Sequence, residues 1–121
     1  MFSSVQKADR KVGIMKAVIL KTNGDNAVVE FSNETAYAVL SGAVGGLIQM
    51  VELPAHDVTL WVNEEGKLDG LPVNAKATAL WVENYGHTDI IVGDVIITGN
   101  ADDEGYTLGL SDEDAIRLLQ M

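Results

Sequence analysis

The sequence predicts a single α+β domain with a mostly antiparallel sheet and two or three helices. A chain of 121 residues is about one domain long, and 47 % apolar with 21 % charged residues is a globular composition. Short runs rich in β-branched residues come in pairs separated by turns, which is the pattern of antiparallel hairpins. Two clear helical patterns, and a third near the end, interrupt these runs. No repeat, linker or low-complexity tract divides the chain.

The predicted domain covers residues 15–121, and residues 1–14 are predicted to be a flexible extension. The opening stretch "MFSSVQKADRKVGIM" carries basic residues but lacks the apolar core of a secretory signal. The ordered pattern begins with "MKAVIL", so Met15 is an alternative start of the chain.

The first predicted hairpin joins "KAVILKT", residues 16–22, to "NAVVEFS", residues 26–32, through "NGD". Asparagine and glycine tolerate the positive φ angles that such a turn demands. A helix is predicted over "SNETAYAVLSGAVGG", residues 32–46, with Ser32 or Asn33 as its cap and glycines at its end. Because these glycines follow a helix, they indicate a C-terminal cap and not a phosphate-binding loop.

The middle of the chain predicts a second pair of strands and the clearest helix. "LIQMVEL" and "DVTLWVN", residues 47–53 and 57–63, are the strands, and "EEGK" is the tight turn after them. "LPVNAKATALWVENYG", residues 71–86, is the helix, and Asn74 is predicted to cap it. Four residues at helical spacing form one face of it: Ala77, Leu80, Trp81 and Asn84. Next, "TDIIVGDVIITG" predicts one bent strand or two short ones around Gly93.

The acidic run "TGNADDEGYTLGLSDEDA", residues 98–115, raises the question of a calcium loop. The first, third, fifth and sixth places of an EF-hand loop are matched by Asn100, Asp102, Glu104 and Gly105. The ninth and twelfth places hold Leu108 and Ser111, and a β-rich run stands where a helix should precede the loop. We therefore predict a solvated turn without a metal, followed by a helix "SDEDAIRLLQM" whose Ser111 and Asp114 have capping-box spacing.

Charge and composition exclude several classes of partner. The formal net charge is −10; residues 1–21 carry five cations against one acid, for +4, and residues 22–121 carry three against seventeen, for −14. Such an acidic body repels nucleic-acid phosphates. No apolar run is long enough to span a membrane, and the absence of cysteine excludes disulfides and thiolate sites. The sequence predicts a cytoplasmic protein with no nucleic-acid or membrane partner.

No motif of a known catalytic class is present. The sequence lacks a GxSxG elbow, an HExxH pair and a Walker loop. His56 and His87 lie in predicted loops without the spacing of a ligand pair, which favours two solvated histidines over a metal site. We predict no catalytic residue, no metal, no cofactor and no enzyme activity, although a paired-carboxylate hydrolase stays open because the sequence does not say which acids face each other.

The segment "WVNEEGKLDGLPVNAKATALW", residues 61–81, is the richest in candidate ligand-binding groups. Two lysines would donate hydrogen bonds, the helix start at Asn74 would offer backbone N–H groups, and a tryptophan would provide a flat stacking surface. The alternative is that both tryptophans belong to the core and Asn74 only caps its helix. The predicted ligand-binding residues are Trp61, Asn63, Lys67, Asn74, Lys76, Thr78 and Trp81.

The same segment carries a family resemblance. Together with the downstream "DIIVGDVIITGNADDEG", it resembles an uncharacterised domain family of actinobacteria, their plasmids and their phages. Members of that family have similar "NEEGKL…GLP.N..AT" and "GDVVITG…DDEG" blocks. The resemblance covers most of residues 16–121 and is densest between 58 and 110. It implies a small, often phage-borne accessory protein that binds something, and it supplies no catalytic residue.

Three functional hypotheses follow. The first is a viral or mobile-element binding protein that sequesters a small polar, nucleotide-derived ligand in anti-defence, counteracting host immunity. Its location would be the cytoplasm, which is the host's if a phage encodes it. The second is an acidic interaction module that masks a basic host protein or mimics DNA charge, using Asp102, Asp103, Glu104, Asp112, Glu113 and Asp114. A metal-dependent nucleotide hydrolase is a third hypothesis.

The high apolar fraction also predicts a homo-oligomer, since a short chain has to cover its apolar strand edges.

Overall fold

The computed structural model describes residues 13–121, in which five strands form one sheet and three helices cover it. The predicted α+β class is therefore confirmed. Of the predicted extension, residues 1–14, the first twelve residues lie outside the described part of the chain. In chain order the elements are β1 Met15–Leu20, β2 Asn26–Phe31, α1 Ala36–Val44, β3 Ile48–Leu53, β4 Val58–Asn63, α2 Ala75–Tyr85, β5 Val95–Thr98 and α3 Asp112–Leu119.

The sheet is antiparallel throughout and has the order β2-β1-β5-β4-β3. Each of the two predicted hairpins forms one side of it, and β5, the last strand in sequence, is inserted between β1 and β4. The first hairpin closes as predicted at the "NGD" turn, where Gly24 has φ of 94° and the Asn23 side chain accepts a hydrogen bond from the Asp25 N–H. This order leaves β2 and β3 as the two edge strands.

Helices cover both faces of the sheet, so the central strands β1, β4 and β5 are largely buried on both sides. Alternate residues of a strand point to opposite faces. Val95 and Ile97 of β5 therefore pack under α2 and α3, while Ile96 packs on the other face under α1. Burial on both sides explains why these central strands contain nearly continuous apolar runs instead of a strict alternation.

The first helix begins later than the sequence predicted. Ser32 and Asn33 were predicted as caps, but α1 starts at Ala36 after Thr35, whose side chain makes no capping hydrogen bond. The Ser32 and Thr35 hydroxyls instead bond within the preceding turn, where the Thr35 N–H donates to the Ser32 carbonyl at 3.1 Å. The predicted glycine end is confirmed, since Gly45 adopts a left-handed φ of 77°.

The other two helix starts are confirmed. The Asn74 side chain accepts a hydrogen bond from the Ala77 N–H, and the Ser111 hydroxyl accepts one from the Asp114 N–H, both at 3.1 Å. The strand around Gly93 resolves into β5 and one isolated bridge between Val73 and Val92, because Gly93 turns the chain with φ of 79°. Within residues 13–121, no helix has the length and hydropathy required to span a bilayer.

Candidate functional site

A cleft of about 630 Å³ opens between the edge strand β3, the C-terminal half of α2 and the loops 64–68 and 89–92. Its volume lies in the range of small-molecule sites, which are roughly 300–1,000 Å³. Four consecutive residues of β3 line it, from Gln49 to Glu52. The side chains of consecutive strand residues alternate between faces, so the cleft follows the backbone of the strand as well as its side chains.

The aromatic wall of the cleft comes from α2. Trp81 and Tyr85 are four residues apart and therefore lie on the same side of the helix. Their ring centroids are 4.4 Å apart with the planes tilted by 42°. The Trp81 indole N–H donates to the Thr88 hydroxyl at 3.0 Å, and the Tyr85 hydroxyl donates to the Glu52 carbonyl at 2.5 Å. These two hydrogen bonds fix both rings at the rim of the cleft.

The charged groups of the cleft are mostly acidic. Lys67 forms an ion pair with Asp89, and this bond, with the backbone N–H of Ile90, holds the pKa of the Asp89 carboxyl below its usual range. Glu52 and Glu64 also line the cleft. One lysine against three carboxylates gives the lining a net charge of −2 at neutral pH. The site therefore disfavours a ligand whose charge is mainly negative.

Three of the predicted ligand-binding residues line this cleft: Asn63, Lys67 and Trp81. The Asn63 side chain is nevertheless engaged elsewhere, because its amide donates to the Val44 carbonyl and accepts from the Glu65 N–H. Trp61 lies on the opposite face of the sheet, packed under α1, with its indole N–H donating to Thr98 at 2.9 Å. The prediction allowed either tryptophan as the stacking surface, and only Trp81 faces the cleft.

The predicted anion site at the start of α2 is not assembled. Asn74 is 0 % exposed, and its amide donates to the carbonyls of Leu20 and Gly93 at 2.9 Å each. The Lys76 amine donates to the Gly24 carbonyl at 2.5 Å and to Asn26, which places it at the first hairpin turn. The two lysines that were to act together are thus committed to different parts of the fold.

Thr78, the last of the predicted residues, lies in a shallower groove next to the cleft, also lined by Val82 and His87. Its hydroxyl accepts from the Ile91 N–H at 2.9 Å and is 3.3 Å from the Ile91 carbonyl. This pairing holds the 89–92 loop against α2. Thr78 therefore positions a loop that lines the cleft, although Thr78 does not line the cleft itself.

The acidic residues of the interaction hypothesis are partly neutralised within the fold. Asp112 pairs with Lys16 at 2.8 Å, which holds the pKa of Asp112 below and that of Lys16 above their usual ranges. Asp114 pairs with Arg117 at 2.5 Å. The Asp102 carboxylate accepts the N–H groups of Glu104 and Tyr106 and so shapes the turn. These contacts reduce the charge that the segment offers to a partner.

The described residues contain no group of three or more His, Cys, Asp or Glu side chains placed to hold a metal ion. His56 lies 3.0 Å from the Asn84 amide and 3.3 Å from the Glu83 carboxylate. His56 and Glu83 alone provide too few ligands for a metal such as zinc.

Calcium is accordingly expected to change the melting temperature by less than about 2 °C at millimolar concentration, because binding to the native state is what would raise it. Differential scanning fluorimetry with calcium or a chelator measures this. A larger rise that Asp102→Asn abolishes would contradict the prediction.

Sequence reasoning missed Tyr85 and Asp89. The four-residue spacing of Trp81 and Tyr85 was a readable signal for a shared helix face. Asp89 gave no such signal, because its meeting with Lys67 joins residues that are 22 positions apart.

Fold and site together define an α+β domain with a ligand-sized aromatic cleft at one edge of its sheet. The chain belongs to the family described as Domain of unknown function (DUF3846), whose model matches residues 15–121. Membership of an uncharacterised domain family is thus confirmed. No curated protein and no solved structure is significantly similar to the chain.

Proposed function

We propose that this protein binds a small molecule in the cleft between β3 and α2. The observation that carries the proposal is the Trp81–Tyr85 pair at the rim of a 630 Å³ cleft. Two hydrogen-bonded aromatic rings beside an apolar floor offer a fixed surface on which a planar ring can stack. The floor comes from Val51, Val62 and Ile91, which are packed into or against the main core.

The charge of the lining narrows the ligand class. A nucleotide-derived ligand fits through its base, but its phosphates would meet three carboxylates and a lysine that is already paired with Asp89. A neutral ring compound with polar edges, such as a nucleoside, avoids this repulsion. We therefore propose a nucleoside-like ligand in place of a polyphosphate.

The biological role that we propose is sequestration. No catalytic motif occurs in the sequence, and the described residues hold no metal cluster of the kind that hydrolysis of a nucleotide would use. A protein that only binds removes its ligand in proportion to its own amount. The resemblance to a family of actinobacteria, plasmids and phages supports an accessory role of this kind, such as withdrawing a host signal.

Trp81→Ala is expected to weaken nucleoside binding roughly 5- to 150-fold, since removing a stacking ring costs about 1–3 kcal/mol. Isothermal titration calorimetry with adenosine and other nucleosides measures the affinity. Tyr37→Ala is the matched control: this tyrosine is 62 % exposed on α1, which covers the other face of the sheet, and its loss should leave binding unchanged. Equal affinities for wild type and Trp81→Ala would remove the cleft from the proposal.

Asp89→Asn tests the charge argument in the same titration. The change removes one carboxylate and releases Lys67, so the affinity for a nucleoside monophosphate should rise relative to that for the nucleoside. If no nucleoside or nucleotide binds at millimolar concentration, the acidic interaction module becomes the stronger hypothesis.

A further inference from the structure

The outer edge of β3 exposes a regular row of backbone hydrogen-bonding groups. The Glu64 N–H donates to the Leu47 carbonyl, and Leu47 continues the register in which Gln49 faces Val62 and Val51 faces Leu60. In an antiparallel pair, alternate residues bond to the neighbouring strand. The odd-numbered residues of β3 therefore bond to β4, and the N–H and C=O groups of the even-numbered ones point away from the sheet. These outward-facing residues are Ile48, Met50 and Glu52.

This edge has little of the usual protection against pairing. Edge strands are commonly blunted by charged side chains, proline or a bulge, and β3 has continuous register over all six residues of "IQMVEL", with Glu52 as its one charged residue. Its central residue, Met50, is 53 % exposed. The Tyr85 hydroxyl donates to the outward carbonyl of Glu52, which independently agrees with the direction assigned to that residue. A carbonyl oxygen accepts two hydrogen bonds, so this contact leaves room for a further donor.

We propose that β3 pairs with β3 of a second copy of this chain, antiparallel and around a two-fold axis at Met50. In this register Met50 lies opposite its own counterpart, and Ile48 lies opposite Glu52 of the second copy. All three outward-facing residues of each copy then find partners. The glutamates are kept apart, which matters because like charges directly opposite each other destabilise a pair of strands. Each β3 thus forms hydrogen bonds with an identical strand of the other copy, as an isologous interface requires.

The pairing joins two five-stranded sheets into one of ten strands and changes the cleft. Gln49 and Val51 of the first copy line its cleft, and in this register Val51 of the second copy lies opposite Gln49. The second copy therefore extends the open side of the cleft. The β3 interface does not depend on whether the cleft binds a nucleoside.

Met50→Glu is expected to raise the dissociation constant of the dimer by about 100-fold, because it places two carboxylates opposite each other at the axis, on the face that already carries Glu52 of both copies. Val28→Glu is the matched control. The Lys21 N–H donates to the Asp25 carbonyl, and in the β1–β2 register this bond leaves the backbone groups of Val28 pointing outward on the other edge strand, where Val28 is 42 % exposed. Sedimentation equilibrium at micromolar concentrations should show dimers for wild type and Val28→Glu, and monomers for Met50→Glu. Circular dichroism melts verify that each variant is folded.

A cross-link tests the register without weakening the interface. The chain has no cysteine, so Met50→Cys introduces a single thiol. Directly opposite residues in a hydrogen-bonded antiparallel pair have Cα atoms about 5.5 Å apart, within the range that a disulfide spans. Mild oxidation should convert Met50→Cys into a covalent dimer and leave Val28→Cys mostly monomeric.

The dimer should also tighten with added salt, because each chain carries a net charge of −10 and salt screens their repulsion. A wild-type protein that is monomeric at 100 µM in about 0.5 M salt would overturn the proposal. A dimer that Val28→Glu breaks while Met50→Glu spares it would place the interface on β2, and would equally overturn the proposal. If β3 instead paired with a strand of another protein, the purified chain would be monomeric in these experiments, which would also contradict the proposal.

Discussion

Asn74→Ala is expected to lower the free energy of unfolding by roughly 3 to 4 kcal/mol, one of the two largest effects that the structure predicts for a single substitution. The loss of the helix cap accounts for about 1 kcal/mol. The remainder comes from the carbonyls of Leu20 and Gly93, which lose their donor while they stay buried. One side chain thus joins the start of α2 to the end of β1 and to the turn before β5.

Urea denaturation of the variants measures this effect, and Asn74→Ser separates its two parts. The serine hydroxyl restores an acceptor for the Ala77 N–H but does not reach both distant carbonyls, so it should recover only about 1 kcal/mol. Thermal melts should fall by roughly 4 °C for each kcal/mol lost. An alanine variant within about 1 kcal/mol of wild type would show that the buried hydrogen bonds of Asn74 contribute little.

Gly99→Ala is expected to destabilise the protein by about 3 kcal/mol, for a purely steric reason. Gly99 directly follows β5, and the backbone of residues 108 and 109 passes over it. A Cβ atom at this position would overlap the carbonyl oxygen of Gly109 and lie 3.2 Å from that of Leu108. Both neighbours are backbone atoms, so the 108–109 segment would have to move. That movement would also disturb the bond between the Leu110 N–H and the Lys16 carbonyl, which is 2.9 Å long.

Gly42→Ala provides the matched control for this glycine. It lies within α1, and a Cβ atom there would have nothing within 4 Å. Alanine is the better helix former by about 1 kcal/mol, so this change should stabilise the protein. Chemical denaturation of the two variants should therefore show changes of opposite sign. Similar stabilities for both would mean that the 108–109 segment adapts to an added methyl group at no cost.

The local parts of the fold were predictable because their signals lie within a few residues of each other. The "NGD" turn fixed the first hairpin, and Asn74 and Ser111 marked two helix starts correctly. The start of α1 was misplaced because Ser32 and Thr35 are both able to cap or to form a turn. That choice depends on where the preceding strand ends, and β2 continues to Phe31.

The candidate site was only partly predictable, because it joins residues far apart in sequence. Trp81 and Lys67 were singled out by residue type, and both line the cleft. Nothing in the sequence indicated that Lys67 would meet Asp89 or that Tyr85 would reach the edge of β3. Trp61 and Trp81 could not be distinguished by residue type. Side chains alternate between the two faces of β4, and this alternation directs Trp61 away from the cleft.

The sequence by itself determined the α+β class, the hairpins, most helix ends and the acidic character of this protein. Each of these depends on short-range backbone preference or on composition, which a chain carries before it folds. The tertiary structure alone decided the strand order, because β5 inserts between two hairpins formed earlier in the chain. It also decided that Asn74 is a core residue, since its partners Leu20 and Gly93 lie 54 and 19 positions away. Contacts of that separation depend on how the whole chain packs, and no local pattern encodes them.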